Sequence, residues 1–445
     1  MAKTITMKNL YKIFLEHPSI STDSRKIHSG DLFFALKGDN FDGNAFAEKA
    51  IESGAAYAVI DCPVLFDSSI YGRSAGEKAQ FILVPDALKA LQQLALHHRQ
   101  TLNTPVFALT GTNGKTTTKE LVAAVLATKY KVCATQGNLN NHIGVPLTLL
   151  RMDKTTEAAV VEMGANHPGE IADLAAIVQP DYGLITNVGK AHLEGFGSLE
   201  GVMQTKGALY EAAPILFVNA DNPLLCGMAE QRGGAKEKHF YGLQSQKASI
   251  LPTNEKNPFL RLNVPGYPPI ETQLIGTYNA DNVLAALAVG AHFGVDPLLA
   301  AEAIKNYRPT NNRSQHMQTA KNTLIIDAYN ANPTSMAAAL GNFEQLIAIH
   351  KVLILGDMLE LGTDSEQEHR ALVGRLIDLQ KSGCMEQVFL VGPRLGAAAL
   401  GHSGCNCFTD VGALKDYLLE CPLKGAVVLI KGSRGMRLEQ VLDVL

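Results

Sequence analysis

The stretch TGTNGKTTTKE, Thr110 to Glu120, follows the apolar run Pro105 to Leu109 and leads into a second apolar segment, Leu121 to Leu126. A strand that ends in glycines and restarts as a helix opened by Lys115 and Thr116 turns several backbone N–H groups and a helix N-terminus toward one point, where an anion is stabilised. The spacing is a variant of the nucleotide phosphate loop. The general pattern wants a glycine five positions before Gly114, and Leu109 stands there. Glycine-rich turns that merely join a strand to a helix are common, but few also carry a lysine and a threonine in this order. The expected guest is a nucleotide phosphate.

The pattern extends outward from this loop. Val106–Thr110, Ala158–Glu162, Gly183–Val188 and Ile215–Val218 are short apolar runs separated by helical periodicity, which predicts a mostly parallel sheet flanked by helices. Gly233–Lys238 and Pro252–Pro269 read as inserted loops or β-hairpins. After NYRPTNNRSQ (Asn306–Gln315), a linker by composition, the alternation restarts with strands at Thr323–Asp327, Lys351–Gly356, Gln387–Gly392 and Val427–Lys431, a doubly wound Rossmann-like sheet. Asp327, Asp357 and Lys431 then fall at carboxyl ends of strands, where ligands bind, although each also reads as a helix cap or loop charge. Ahead of all this, Ser21–Phe46 is dense in turn residues around a strand at Leu32–Leu36, and residues 1–100 form a smaller α/β unit. The expected fold class is α/β in three domains: a small N-terminal domain (1–100), a central P-loop ATPase-type domain with a mostly parallel sheet (101–312) and a C-terminal Rossmann-like domain (313–445).

The totals agree with a large globular chain: 445 residues, 46% hydrophobic and 18% charged. A net charge of −4 leaves no general basic field for nucleic acid, so any anion must be held locally. The seven cysteines (62, 133, 226, 384, 405, 407 and 421) are scattered without zinc-site spacing and read as reduced thiols. The N-terminus has charges within its apolar positions, and nowhere do eighteen apolar residues run together. These features predict a cytoplasmic protein with no membrane or nucleic-acid partner, and a monomer.

A phosphate loop works with magnesium. Thr116 offers a hydroxyl, and Glu162, ending an apolar strand, offers the usual acid, unless it is a plain surface carboxylate. Further on, Ile185–Ala212 contains His192 and Lys206. Taken alone, a histidine at a strand end is more often a structural hydrogen-bonder, and a helical lysine a solvated charge.

Set together, GTNGKTT (Gly111–Thr117), VVEMG (Val160–Gly164), NVGKAHLEGFGS (Asn187–Ser198) and TKG (Thr205–Gly207) resemble the ATP-dependent Mur ligases of peptidoglycan synthesis. Leu109 fits that family's own loop. TDSRKIHSGDLFFALKG (Thr22–Gly38), GNLNNHIGVPLTLL (Gly137–Leu150), DAYNANP (Asp327–Pro333) and LGDMLELG (Leu355–Gly362) resemble the branch that adds a dipeptide, and the likeness runs on to KGSRGMRLE (Lys431–Glu439).

The resemblance implies ATP-dependent joining of D-alanyl-D-alanine to a UDP-N-acetylmuramoyl-tripeptide through an acyl phosphate, with Lys115, His192 and Lys206 catalytic. ATP would meet Gly111, Thr112, Asn113, Gly114, Lys115, Thr116 and Thr117, with Asn279 and Asn282 from GTYNADN, Arg313 at the phosphates and Asp327 at the ribose. Two Mg2+ ions would be held by Thr116, Glu162, His192 and Lys206, the lysine carrying a carbamate made from carbon dioxide, since an ammonium would repel the metal. The N-terminal domain would bind the uridine end of the substrate, with Ser24, Arg25 and Lys37 at its phosphates and Asn138 and Asn141 orienting the sugar-peptide. Tyr329, Asn330 and Asn332 would meet the incoming dipeptide, although Asn332-Pro333 also reads as a helix start. Because Arg313 and Asp327 lie far in sequence from the phosphate loop, the third domain is expected to close.

Three positions depart from the family pattern: Tyr278 where histidine is usual, Asn44 in place of the histidine of a DGH triplet, and Asn312 in place of a glycine. The nearest rival is the sister ligase adding a third-position diamino acid. Its Asp-Asn-Pro-Arg motif is matched only by Asp221-Asn222-Pro223, which continues with Leu224 in the central domain. Folylpolyglutamate synthase would lack the first domain. A nucleotide-switched binding protein is the rival from another class.

Overall fold

The structure, a computed structural model, describes residues 5–38, 40–68, 80–232, 234–253, 258–310, 312–402 and 404–445. Near the N-terminus lie β1 (Ile20–Ser21), β2 (Leu32–Phe34), the short antiparallel pair β3 (Lys37–Gly38) and β4 (Phe41–Asp42), β5 (Tyr57–Ile60) and β6 (Phe81–Leu83). Strands β1, β2, β5 and β6 form a parallel sheet in that order. The strand expected at Leu32–Leu36 stops at Phe34. Phe33, Ala58, Ile60 and Phe81 pack with Ala47, Ala50 and Ile51 of an adjoining helical segment.

The central strands are β7 (Val106–Thr110), β8 (Val132–Ala134), β9 (Ala158–Glu162), β10 (Tyr182–Ile185), β11 (Ile215–Asn219) and β12 (Glu237–Tyr241), in the order β12-β11-β10-β7-β9-β8. Strands β7 and β9 have the bounds the sequence predicts and are buried at every residue, as strands covered on both faces must be. Strand β10 ends at Ile185, short of the expected Val188, because Thr186 and Asn187 turn their side chains to the phosphate loop. Glu237 and Lys238, expected in a loop or β-hairpin, begin β12, which pairs in parallel with β11. Its charged start suits its place at the sheet's edge. Of the described residues in the stretch Pro252–Pro269, expected as loops or β-hairpins, only β14 (Phe259–Asn263) is strand, and it pairs with β13 (Ser249–Ile250) before the stretch and β15 (Ile270–Ile275) after it in an antiparallel sheet. Asp39, Gly233, residues 254–257 and Asn311, within the expected turn, loop and linker segments, lie outside the described residues.

The helix Pro297–Asn306 ends where the polar linker begins, and β16 (Gln315–Gln318) starts where it finishes. Strands β17 (Thr323–Asp327), β18 (Lys351–Gly356), β19 (Gln387–Val391), β20 (Asn406–Phe408) and β21 (Val427–Lys431) complete a sheet of order β16-β17-β21-β18-β19-β20, parallel except for the β16–β17 pair. Alternation along each strand feeds two separate cores: Leu353, Leu355, Val388, Leu390 and Leu429 face one, Val352, Ile354, Phe389, Val391, Val428 and Ile430 the other. This is a doubly wound sheet, with Asp327 and Lys431 paired at its carboxyl edge.

The chain divides into two compact units, one of Met1–Ala108, Tyr130–Gly164 and Glu170–Tyr182, the other of Leu109–Lys129, Ala165–Gly169 and Gly183–Leu445. Among the described residues no helix is long and apolar enough to cross a membrane. All seven cysteines are free.

Candidate functional site

Leu109, the departure from the generic phosphate loop, is the fully buried penultimate residue of β7, so the loop proper starts at Gly111. Gly111 has φ +151°, and a Cβ there would run into Thr186 Oγ1. Gly114 has φ +78° and caps the helix Lys115–Ala127 in the left-handed region, with space for no side chain because Asn282 Oδ1 would lie 2.6 Å from a Cβ. The loop is pinned from behind. Thr112 N donates to Asn187 O (2.9 Å), Asn113 N to Asn187 Oδ1 (2.9 Å), Thr186 Oγ1 to Asn113 O (2.6 Å) and Gly189 N to Thr112 Oγ1 (3.0 Å). Lys115 Nζ donates to the carbonyls of Gly111 (2.7 Å) and Thr112 (3.1 Å), which folds its ammonium over the loop. Thr116 is buried directly behind it, at the first turn of the helix, and Thr117 follows.

Asn279 and Asn282 form the floor. Thr118 Oγ1 donates to Asn282 Oδ1 (3.0 Å), Asn282 Nδ2 to Asn279 Oδ1 (2.9 Å) and Asn279 Nδ2 to Ile275 O (2.8 Å). These hydrogen bonds set the two asparagines against the first turn of the helix that follows the loop.

Lys206, midway along the helix Leu199–Ala212, is 2% exposed and its Nζ lies 5.8 Å from the Phe196 ring centroid. Burial, and then the charge of Lys115, hold its amine well below the ordinary lysine range. The plain reading of a solvated charge is therefore wrong for this lysine. A neutral amine is a nucleophile, which an ordinary surface ammonium is not. His192 adopts φ +50° and its Nδ1 lies 2.6 Å from Glu360 Oε2. That hydrogen bond holds the Glu360 carboxyl below the usual carboxylate range and fixes the ring, leaving Nε2 as its second nitrogen.

The C-terminal segment reaches the same loop. Asn332 caps the helix Pro333–Gln345 through a reciprocal box with Ser335, and its Nδ2 donates to Asn113 Oδ1 (2.9 Å). Asn332 is thus both the helix start and a contact to the phosphate loop. Asp327 Oδ2 pairs with the buried Lys431 Nζ (2.5 Å), and Lys431 also donates to Asn330 O (3.2 Å). The Arg313 guanidinium stacks 3.7 Å from the Tyr329 ring centroid. Asn330 is exposed. For Asp357 the cap reading prevails: its carboxylate accepts from Arg394 N (3.0 Å) and Leu395 N (2.8 Å), the first turn of Pro393–Ala398.

Comparison with known proteins gives the family of the chain. Residues 18–99 match the Mur ligase family, catalytic domain, residues 109–290 the Mur ligase middle domain, and residues 312–434 the Mur ligase, glutamate ligase domain. The UDP-N-acetylmuramoyl-tripeptide–D-alanyl-D-alanine ligase of Bacillus subtilis is 39% identical over 96% of this chain and 92% of its own length. The chain belongs to the Mur ligase family. A crystal structure of MurF from Acinetobacter baumannii superposes with a TM-score of 0.81 at 30% identity, covering 96% of this chain and 92% of that one. The Thermotoga maritima MurF ligase in complex with ADP gives 0.81 at 26% identity, with 97% of each chain covered. The fold is the three-domain α/β architecture of Mur ligases.

Within the Mur ligase frame the three departures have physical explanations. Asn312 has φ +54°, a left-handed position for which glycine is the usual solution and asparagine the next best. Tyr278 is half-buried and its hydroxyl meets Ser314 Oγ at 2.8 Å, while Ser314 N donates to Asp327 Oδ1 (3.3 Å), so the tyrosine reaches the acid through one serine. Burial and the charge of Asp327 push this phenol up. Asn44 is buried, with Nδ2 donating to Asp42 Oδ1 (2.6 Å) and Asp61 Oδ1 (2.8 Å).

In the first unit, Arg25 is exposed but bonded to Asp23 through Nε (2.8 Å) and Nη2 (2.9 Å), which lowers Asp23 to about 2. Lys37 Nζ is 2.8 Å from Asp61 Oδ1. Ser24 opens the short helical turn Ser24–Lys26. Asn138 is exposed, and Asn141 Oδ1 accepts from Gly144 N (2.9 Å), a local cap. Glu162 is 1% exposed at the end of β9, and Asn140 Nδ2 donates to its Oε1 at 2.8 Å. Sequence reasoning missed Asn140, Asn187 and Glu360. Each lay inside a quoted motif, but only the fold shows which asparagine or glutamate turns inward.

Proposed function

We propose that this chain is an ATP-dependent ligase joining D-alanyl-D-alanine to the terminal carboxylate of a UDP-N-acetylmuramoyl-tripeptide in peptidoglycan precursor synthesis. The observation that carries the reading is the Asn113–Asn332 bond, which ties the phosphate loop to the segment proposed to receive the amine. A reaction whose two halves share one acyl phosphate needs that proximity.

A carboxylate repels nucleophiles and has no leaving group, so it must be activated. Its oxygen attacks the γ-phosphorus of ATP, the bond to the ADP oxygen breaks, and an acyl phosphate forms. The backbone N–H groups of Gly111 to Thr117, with Lys115, hold the phosphates in line. The dipeptide's neutral amine then adds to the acyl carbon, phosphate departs with the bonding pair, and the amine's extra proton is released.

Thr116 and Glu162 present hard oxygen donors of the kind Mg2+ prefers, and His192 a ring nitrogen. For Glu162 the assignment rests on resemblance and on its burial at the end of β9. As a bare ammonium Lys206 would not fit a cation. Its lowered basicity favours the neutral amine, the form that would add carbon dioxide and, after losing a proton, offer two anionic oxygens. Bound magnesium, as two ions, would draw charge off the transferring phosphoryl group.

We take domain edges at 1–100, 101–312 and 313–445, with Ser24, Arg25, Lys37, Asn138 and Asn141 serving the nucleotide-sugar, Arg313 and Asp327 the ATP, and Tyr329 and Asn330 the dipeptide. The seven free cysteines support a cytoplasmic setting. The chain is read as a monomer, and its net charge of −4 supports no nucleic-acid partner. Against the sister ligase stands the local role of its nearest motif: Asn222 caps, and Pro223 opens, the helix Pro223–Gln231. The test is an ATP-dependent ligation assay with the diaminopimelate and lysine forms of the nucleotide-tripeptide, read by product mass. The expected result is a D-alanyl-D-alanine adduct with one form or both. ATP hydrolysis that ignores both peptides would favour a nucleotide switch.

A further inference from the structure

We infer that Arg434 forms the subsite for the free α-carboxylate of the incoming dipeptide, an inference that rests on the ligase reading above. The dipeptide reacts through its amine and keeps its carboxylate, so a site that selects it needs a cation beside the segment Asp327–Pro333. Two of the cations against that segment have other duties. Lys431 is 1% exposed and neutralised by Asp327 at 2.5 Å, with a second bond to Asn330 O. Arg313 lies over the Tyr329 ring at 3.7 Å and is already assigned to ATP.

Arg434 differs from both. It follows β21 at the carboxyl edge of the sheet, in a short turn anchored to the same segment: Ser433 Oγ donates to Ala331 O (3.3 Å) and accepts from Leu359 N (2.8 Å). Its side chain is exposed, its guanidinium sits 5.3 Å from the Tyr329 ring centroid, and Nη1 is 3.5 Å from Tyr329 Oη. Among the described residues no acidic side chain pairs with it. The Tyr329 ring therefore carries two guanidinium groups, Arg313 and Arg434. A planar carboxylate is the ligand that an exposed guanidinium fork takes in two parallel hydrogen bonds, and the Tyr329 hydroxyl is a third donor beside it.

The test compares D-alanyl-D-alanine with D-alanyl-D-alanine amide, which keeps the reacting amine and lacks the charge. In the wild type the amide should be poorer by about 10- to 100-fold in kcat/KM, the worth of a charge-assisted pair. Arg434→Ala should lose about the same factor with D-alanyl-D-alanine, mainly through KM, and lose nothing with the amide. Arg434→Lys should recover part of the loss, and KM for ATP and for the nucleotide-tripeptide should not move. Equal losses on acid and amide, or no loss on either, would overturn the subsite while leaving the ligase reading intact. A wild type that forms no adduct with either peptide would overturn both.

Discussion

Nδ1 of His192 and Oε2 of Glu360 lie 2.6 Å apart, and both residues hold left-handed backbone, at φ +50° and +64°. Non-glycine residues in that region cost on the order of 1 kcal/mol each. The fold keeps both to point an imidazole at a carboxylate that belongs to LGDMLELG. Glu360→Gln keeps the shape but removes the charge that orients the ring. It should weaken divalent-metal binding by about 10-fold or more, as loss of a supporting carboxylate does elsewhere. Manganese titration followed by electron paramagnetic resonance, with a non-hydrolysable ATP analogue present, checks this. Unchanged affinity would remove Glu360 from the site.

Lys206 gives a prediction in pH. Its folded amine lies below the ordinary 10.5, so between the two values the unfolded chain binds more protons and stability rises with pH. In carbon dioxide-free buffer, Lys206→Met should flatten this rise, read as the urea midpoint against pH, because the apolar chain has no proton to lose. The same variant should lose about 10²- to 10³-fold in turnover, the scale for removing one organised electrostatic group. A variant with normal turnover would show that no carbamate is needed.

Asn332 has two separable jobs. Asn332→Ala should cost about 1 kcal/mol of stability through the lost helix cap. Asn332→Ser keeps a capping oxygen but is too short to reach Asn113, so its melting temperature should stay near wild type while kcat/KM for ATP falls about fivefold, the worth of one neutral hydrogen bond. Equal kinetics in Asn332→Ser and wild type would mean that the Asn113 contact is incidental.

At Asn312, φ +54° makes the chain's departure from glycine conformationally sound. Asn312→Ala should destabilise by about 1 kcal/mol and Asn312→Gly by clearly less. Denaturant midpoints decide the order, and an alanine variant as stable as glycine would contradict the left-handed assignment.

Much of this was readable in the residues. Uniform apolar runs such as Val106–Thr110 and Thr323–Asp327 gave strand bounds directly, because strands buried on both faces show no polar alternation to blur their ends. The phosphate loop was legible because glycine spacing and Lys115 act locally. The edge strand Glu237–Tyr241 was hidden by the charges that suit an edge, and β10 was overextended because Thr186 and Asn187 look like strand residues until the loop claims them. The character of Lys206 was not legible, since burial is a property of the fold. Nor was the choice between Asn140 and its neighbours Asn138 and Asn141, where three similar side chains lie within four positions and only backbone direction separates the inward one from the exposed Asn138 and the capping Asn141.

The central step of the proposed reaction is that the substrate carboxylate, not water, takes the γ-phosphoryl group of ATP. Nucleotide-tripeptide labelled with 18O in its terminal carboxylate, incubated with ATP, magnesium and D-alanyl-D-alanine, tests it in one mass spectrum of the released phosphate. Transfer to the carboxylate leaves one 18O atom in phosphate for each amide formed. Phosphate free of label, alongside a fully formed amide, would contradict it.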